Sequence, residues 1–444
     1  MADARAQAAG IVRRLRAAGH EALFAGGCVR DQLLGRVPAD YDVATSARPE
    51  EVQRLFRRTI PVGVQFGVVL VLEGDRRFEV ATFRSDAAYV DGRRPSAVHF
   101  GTAEADAQRR DFTINALFLD PETDEVLDWV GGRDDLRRGV VRAIGDPAAR
   151  IHEDRLRMLR AVRFAARLGF ALDPATRAAI VASAASLTDM AAELIGDEVV
   201  KILTEGNARR GFELLDETGL LPVVLPEIAA MKGVAQSPDF HPEGDVFVHT
   251  LLLLDQLPAG APETLALGAL LHDVAKPPCA GTKGDRVTFY GHEPRGAEMA
   301  VAICQRLRRS RTTWERVAWL VAQHLRVVAA PKMRLSTLKR FLAQDGIEEL
   351  LRLCRIDALA SNGNLEFVLF CERTRRELSA QQLRPPRLLT GADLKAMGYA
   401  RGPRMGEILR AVEDAQLEGR LTSREDAEAF VRAMFPLEPT SLER

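Results

Sequence analysis

Asp40 and Asp42 flank Tyr41 in the segment LFAGGCVRDQLLGRVPADYDVATS, with twelve residues separating Gly27 from Asp40. Carboxylates at positions i and i+2 of an extended strand project to the same face. Like charges held that close are unfavourable unless a cation lies between them. Mg²⁺ suits such a pair, because it takes few protein oxygens and completes its shell with water and substrate phosphates. The Gly26-Gly27 pair lets backbone approach a phosphate, and a helix starting near Cys28 would aim its N-terminus at it. Glu79, on a neighbouring strand, is the best-placed third carboxylate for a two-metal clamp. The chemistry this set implies is in-line attack of a hydroxyl on the α-phosphate of a nucleoside triphosphate, with pyrophosphate leaving.

Two further groups of residues could do chemistry. Asp154 and Arg157 are three apart in a helix-like stretch and would share a face. One accepts and the other donates, which matches the amine donor and ring-nitrogen acceptor that cytosine and adenine both present. Further on, five of the eight histidines fall between residues 241 and 324. His249, His272, Asp273, His292, His324 and Asp357 are spread over helix-like segments. Imidazole nitrogens and carboxylate oxygens suit Mn, Fe, Ni, Co or Zn, and such a site would activate water for phosphoester hydrolysis. His20 and His241 read as structural or solvent-exposed, and His99 and His152 have no motif role.

The elements that must hold these residues follow from pattern. EALFAGG reads as a strand entering a glycine turn, CVRDQLLG as a helix ended by Gly35, and DYDVATS as a second strand. RPEEVQRLF is a helix, and FGVVLVLEGDRRFEVATF a hairpin about Gly74-Asp75 with Phe78 and Val80 on one face and Glu79 and Ala81 on the other. Residues 82–106 are polar and turn-rich, which predicts a mobile loop. RRDFTINAL reads as a strand–helix junction with Phe112 and Leu117 in the core, and a second turn-rich stretch follows. After Pro147 the pattern is strongly helical, interrupted near residues 231–245 and again at LRPPRLL. At the start, Ile11, Val12 and Leu15 mark one side of an amphipathic helix.

Composition bounds the class. With 444 residues, 47% hydrophobic and 28% charged, the chain reads as globular with several domains. A net charge of −1 from 61 basic and 62 acidic residues gives no global basic field, although basic residues can still cluster to meet RNA. Five scattered cysteines without a C-x-x-C point to a reduced, cytoplasmic compartment. No apolar run reaches membrane-spanning length, and no secretory leader is evident.

GGCVRDQLLGRVPADYD resembles the opening motif of class II tRNA nucleotidyltransferases and bacterial poly(A) polymerases, in the polymerase β superfamily. The likeness continues in order through FEVATFR, RRDFTINAL, GGRDDL and the neck motif E-D-x-x-R in EDRLR, covering about residues 20 to 170. It implies an α+β chain: a polymerase-β-like nucleotidyltransferase head of mixed sheet and helices, an all-α neck and body, and an all-α HD domain. The expected boundaries are 1–147 for the head, 148–230 for a helical neck and body, 231–380 for the HD domain, and 381–444 for a C-terminal helical element. By the same resemblance Arg110 and Asn115 contact triphosphate and sugar, with Arg109 and Asp111 as alternatives, and Asp154 and Arg157 select the base. Gly26, Gly27, Arg30, Arg160 and Arg163 complete the expected nucleotide-binding set, and Asp40, Asp42 and Glu79 the catalytic one. The order of a histidine, an adjacent His272-Asp273 on a helix and a downstream aspartate resembles the HD phosphohydrolases, in which Lys276 would stand near the scissile phosphate.

The function this resemblance implies is template-independent addition or repair of the 3′ CCA end of tRNA from CTP and ATP, with Mg²⁺ in the head and a transition metal in the HD site. The partners are then the tRNA 3′ end and the two nucleotides, with neither DNA nor membrane. The alternatives are an A-adding enzyme, a poly(A) polymerase, and an HD phosphohydrolase whose head only binds RNA. FRRTIPVGVQFGVVLV stands where poly(A) polymerases carry a GRRFR-like stretch, and the loop between Arg84 and Arg109 is longer than in CC-adding enzymes. Arginines 155, 157, 160, 163 and 167 exceed what base selection needs, so some would meet RNA phosphate. The C-terminal segment TGADLKAMGYARGPRMGEILRAVEDAQLEGRL reads as a packing element.

Overall fold

Four consecutive buried residues, Ala-Leu-Phe-Ala, form strand β1 (Ala22–Ala25), a run that suits a strand covered on both faces. The computed structural model describes residues 3–63, 67–86, 98–236, 244–284 and 286–437. In it β1 belongs to a seven-stranded mixed sheet with β2 (Val43–Thr45), β3 (Thr59–Gly63), β4 (Val68–Glu73) and β5 (Arg76–Thr82). A short pair, β6 (Arg84–Asp86) and β7 (Val98–Phe100), stands apart, and β8 (Phe118–Leu119) and β9 (Val126–Leu127) complete the large sheet in the order β3-β4-β5-β2-β1-β8-β9. The turn-rich stretch therefore pairs at its two ends, whereas residues 87–97 lie outside the described residues, as does His241.

Most neighbours in the sheet are antiparallel, but β2 and β5 run parallel with Val43 opposite Val80 and Thr45 opposite Thr82. A parallel pair needs a crossover, supplied by helix α3 (Pro49–Leu55) and the β3–β4 hairpin. One step before the Val43–Val80 pair lie Asp42 and Glu79. Phe78 and Val80 are buried while Glu79 is exposed, as the alternation predicted. The strand expected over DYDVATS starts only at Val43. Asp42 is still tied to β1, its carbonyl accepting from the Ala25 amide at 3.1 Å, and Asp40 lies in irregular chain ahead of it.

Helix α1 (Ala4–Ala17) buries Ile11, Val12 and Leu15, and α2 (Gly27–Leu33) opens on Gly26. RRDFTINAL reverses the order expected of it: helix α4 (Ala103–Arg109) comes first, then a single 3-10 turn at Thr113–Asn115, then β8. Phe112 and Leu117 are both in the core. Helix α5 (Gly132–Arg138) packs on that turn. Helices α6 (Pro147–Glu153) and α7 (Arg157–Leu168) follow, and α7 packs against helices Ala192–Thr204 and Ala208–Glu217. All of this belongs to one compact unit, Met1–Ala230 with Leu257–Glu263 and Gln305–Arg309.

The second unit, Met231–Gln256, Thr264–Cys304 and Ser310–Arg444, is mostly helical. A small hairpin, Gly281–Lys283 with Arg286–Thr288, adds strand to a region expected to be all helix. Near the C-terminus, helix Pro403–Leu417 buries Ile408, Val412 and Ala415 in an apolar cluster with Leu389, Leu394 and Val431, so this segment packs. All five cysteines are free. Among the described residues no helix is long and apolar enough to cross a membrane.

Gly132 shows how tightly the turn is held: a Cβ there would overlap the Thr113 carbonyl. Gly132→Ala is therefore expected to lower unfolding free energy by about 1–3 kcal/mol, read as a lower urea midpoint at unchanged slope.

Candidate functional site

Gly26 adopts φ +76°, a conformation open to glycine, and a Cβ at that position would stand 2.7 Å from an Arg110 guanidinium nitrogen. The turn thus admits the Arg110 side chain across the backbone at the mouth of α2. Arg110 is aimed there by Asp106, which is buried and accepts from Arg110 Nε at 3.1 Å and from Arg109 Nε at 2.8 Å. Arg110 also donates to the Asn115 carbonyl at 3.2 Å and lies 4.8 Å over the Phe118 ring. Burial alone would raise the Asp106 carboxyl, but Arg110 and Arg109 outweigh it and hold its pKa below the ordinary value.

Asn115 and Asp111 make the floor. Arg30, almost fully buried, donates to Asn115 Oδ1 at 2.6 Å, and Asn115 Nδ2 donates to Asp111 Oδ1 at 3.1 Å. From the neck, Arg160 Nε donates to Asp111 Oδ2 at 2.9 Å. Burial works to raise the Asp111 carboxyl, yet Arg160 and the hydrogen bonds to it bring its pKa down to about 2.

These residues line one cavity of about 860 Å³, together with Gly26, Gly27, Asp42, Glu79, Asp154, Arg157, Arg163 and Arg167. Asp40 is exposed and is not among the lining residues. Its charge still reaches Asp42, whose pKa is raised to about 6 by burial first, then by Glu79, with Asp40 adding to the effect. Carboxylates that repel one another in the lining of a cavity of this size fit a divalent cation, since a cation would remove that repulsion.

The neck differs from expectation in one respect. Asp154 and Arg157 are not on one continuous helix: α6 ends at Glu153, Asp154 is extended (φ −143°, ψ 101°), and α7 begins at Arg157. The Asp154 carboxylate accepts from the Leu156 amide at 3.1 Å, an Asx-type turn just ahead of α7. Both residues nevertheless line the same cavity. The remaining neck arginines are held by carboxylates: Arg155 with Asp189, Arg163 with Glu198 and Glu205, and Arg167 with Asp31 and Glu205. Sequence reading passed over Asp106 and Arg150, which hold the loops of this cavity, and gave Glu153 no role beyond its place in the E-D-x-x-R motif. The i, i+3 and i, i+4 spacing of Asp106 to Arg109 and Arg110 was the available signal.

In the second unit, His249, His272, Asp273, His292, His324 and Asp357 come together. The ligand atoms of His249, His272 and Asp357 lie within 4.8 Å of one another, and so do those of Asp273, His292 and His324. Asp273 stands between the two sets, with Oδ2 3.1 Å from His272 Nε2 and Oδ1 3.5 Å from His292 Nε2. His249 Nε2 is 3.1 Å from Asp357 Oδ1, and Lys276 Nζ is 2.6 Å from Asp273 Oδ2. His272-Asp273 does not sit on a helix as expected but in the turn after Glu263–Leu271.

The local reason is a hydrogen bond: His272 Nδ1 is paired with the Ala269 carbonyl at 2.9 Å, an acceptor left open where that helix ends. His324 Nδ1 makes the same bond to Val321 at 2.7 Å, and His292 Nδ1 to Phe289 at 2.8 Å. A ring that donates through Nδ1 keeps its Nε2 lone pair for a metal. Nε2 of His272, Nε2 of His292 and Oδ1 of Asp273 are buried without a hydrogen-bond partner, as metal ligands would be. Burial, then His272, lowers the His324 pKa to about 4, which keeps the ring neutral. A neighbouring cavity of about 460 Å³ is lined by Gln236, Lys276, Arg286, Phe289 and Tyr290 as well as by every member of the cluster except His249. Of the other histidines, His20 is half-buried, and His99 and His152 are exposed.

Comparison with known proteins agrees with this division. Residues 22–142 match the model of the poly(A) polymerase head domain, residues 169–232 that of a probable RNA- and SrmB-binding site of polymerase A, and residues 246–362 that of the HD domain. A CCA-adding enzyme of Levilactobacillus brevis is 34% identical over 424 residues, 94% of each chain. One of Geobacillus stearothermophilus is 46% identical over 215 residues, 48% of this chain and 53% of that one, so this match spans about half its length. A crystal structure of the Bacillus stearothermophilus CCA-adding enzyme in complex with CTP superposes with a TM-score of 0.67 at 28% identity, covering 98% of both chains.

The Asp111–Arg160 pair yields a test. A carboxyl whose pKa is depressed stabilises the fold above its unfolded pKa and loses that contribution as pH falls through the folded one. Asp111→Asn is expected to lower unfolding free energy by about 2 kcal/mol at neutral pH. The difference from wild type should shrink between about pH 4 and about pH 2, followed by denaturant titration.

Proposed function

This chain belongs to the CCA-adding enzymes, a family of nucleotidyltransferases, and from that premise we propose that it adds or repairs the 3′ CCA of tRNA from CTP and ATP in the head cavity. The observation that carries this reading is the junction of Asp42 and Glu79 with Arg110, Asn115, Asp154 and Arg157 around one cavity. Mg²⁺ held by Asp40, Asp42 and Glu79 would supply Lewis-acid activation of the attacking hydroxyl and neutralise the phosphates. The protein's own part is to position. Gly26 and Gly27 let the triphosphate close on backbone, Arg110 is fixed by Asp106 to meet it, and Asn115, held between Arg30 and Asp111, faces the sugar. Asp154 and Arg157 present an acceptor and a donor to the base edge that CTP and ATP share. Arg160 and Arg163 support the neck wall, and the boundaries 1–147, 148–230, 231–380 and 381–444 remain the working division.

Incubating the full chain with tRNA lacking CCA, with CTP and ATP separately and together, tests the reading. Addition of C-C-A followed by arrest is the expected product by sequencing; a lone A on tRNA-CC, or a long A tail, would favour the alternatives. Asp42→Asn should reduce incorporation by about 10³-fold or more, and normal incorporation by that variant would contradict the site.

A second reading is favoured by the Nδ1-anchored histidines. We propose that His249, His272, Asp273, His292, His324 and Asp357 bind a transition metal and that the second unit hydrolyses phosphoesters, with Lys276 beside the phosphate. Asp273→Ala should release bound metal, measured by elemental analysis, and abolish phosphoesterase activity on p-nitrophenyl phosphate while nucleotide incorporation continues.

A further inference from the structure

Arg150 lies in α6, outside every motif discussed above, and its side chain is only 12% exposed. One of its terminal nitrogens donates to the carbonyls of both Arg109 and Arg110, the latter at 2.6 Å. Those carbonyls stand at the C-terminal end of α4, where helix acceptors are left open. Its other terminal nitrogen donates to Glu153 Oε2. The same Glu153 oxygen accepts from Arg157 at 2.7 Å, and the Arg150 carbonyl accepts from that Arg157 nitrogen at 2.6 Å. An unbroken chain of charge-assisted bonds therefore runs from the backbone of the loop that aims Arg110 to the guanidinium that faces the base.

We propose that Arg150 is a positioning residue for nucleotide selection, setting the distance between the triphosphate loop and the base-reading Arg157 through Glu153. The inference rests on the reading of Asp154 and Arg157 as the base reader. The ordinary alternative is that Arg150 only caps α4, as a basic side chain near a helix C-terminus does. The two differ in what they control. A cap lost lowers stability and leaves selectivity alone. A spacer lost lets the base edge drift against a fixed triphosphate, and a misplacement of about 1 Å costs about 10²-fold in rate for the correctly paired ligand.

The decisive measurement is the ratio of kcat/KM for CTP to that for UTP on tRNA lacking CCA. That ratio is independent of how much of a variant is folded. Arg150→Met is expected to lower it about 10- to 100-fold, Glu153→Gln to lower it in the same direction, and the double variant to be no worse than the poorer single one, because both act through one chain. Arg150→Lys should recover part of the ratio. An Arg150→Met enzyme with a lowered melting temperature but an unchanged ratio, or fully additive losses in the double variant, would overturn the proposal. Asp154→Ala separates the two levels. If it leaves the ratio unchanged the base-reader assignment itself fails, whereas a shift there with none in Arg150→Met defeats only the role given to Arg150.

Discussion

A guanidinium taken out of water costs several kcal/mol unless an anion goes with it, and among the described residues the head and neck bury three almost completely: Arg30, Arg157 and Arg163. Each is matched by a carboxylate, Asp31, Glu153 and Glu198 respectively. The less buried Arg110 and Arg160 are matched by Asp106 and Asp111. Because arginine presents its donors in a rigid plane, these pairings fix direction as well as charge. The cavity wall is thus a lattice of ion pairs whose geometry is settled before any nucleotide arrives, which is the condition for electrostatic preorganisation.

The opposite imbalance sits across the same cavity. Asp42 and Glu79 both line it, and burial first, then the Glu79 charge, raises the Asp42 pKa. In the second unit the same logic takes another form. Asp273 is surrounded by His272, Lys276 and His324 and is held well below the ordinary carboxylate range despite its burial. One centre collects hard oxygen ligands and the other mixes imidazole with carboxylate, which suits different metals.

Much of this was legible in the sequence because it was local. The glycine turn ahead of α2, the alternation that exposes Glu79, and the ordered histidines all follow from period and residue type. Three things were not legible. Asp154 leaves the helix because its own carboxylate competes for the Leu156 amide, a local turn that helix-like composition conceals. His272-Asp273 sits past the end of its helix because His272 takes the Ala269 carbonyl. Arg150 gains its meaning only from carbonyls some forty residues earlier in the chain, and no pattern in a single sequence reports such a bond.

The parallel pairing of β2 with β5 bears on how the chain reaches its working state. The D-x-D segment and Glu79 are brought side by side only when the α3–β3–β4 crossover has closed, and non-local pairing of this kind is slow to form. A partly folded or nascent head therefore carries Asp40 and Asp42 without their partner. Until that crossover has closed, the crowding of Glu79 on Asp42 is not in place, so the pairing of the sheet, and not the D-x-D segment alone, assembles these carboxylates.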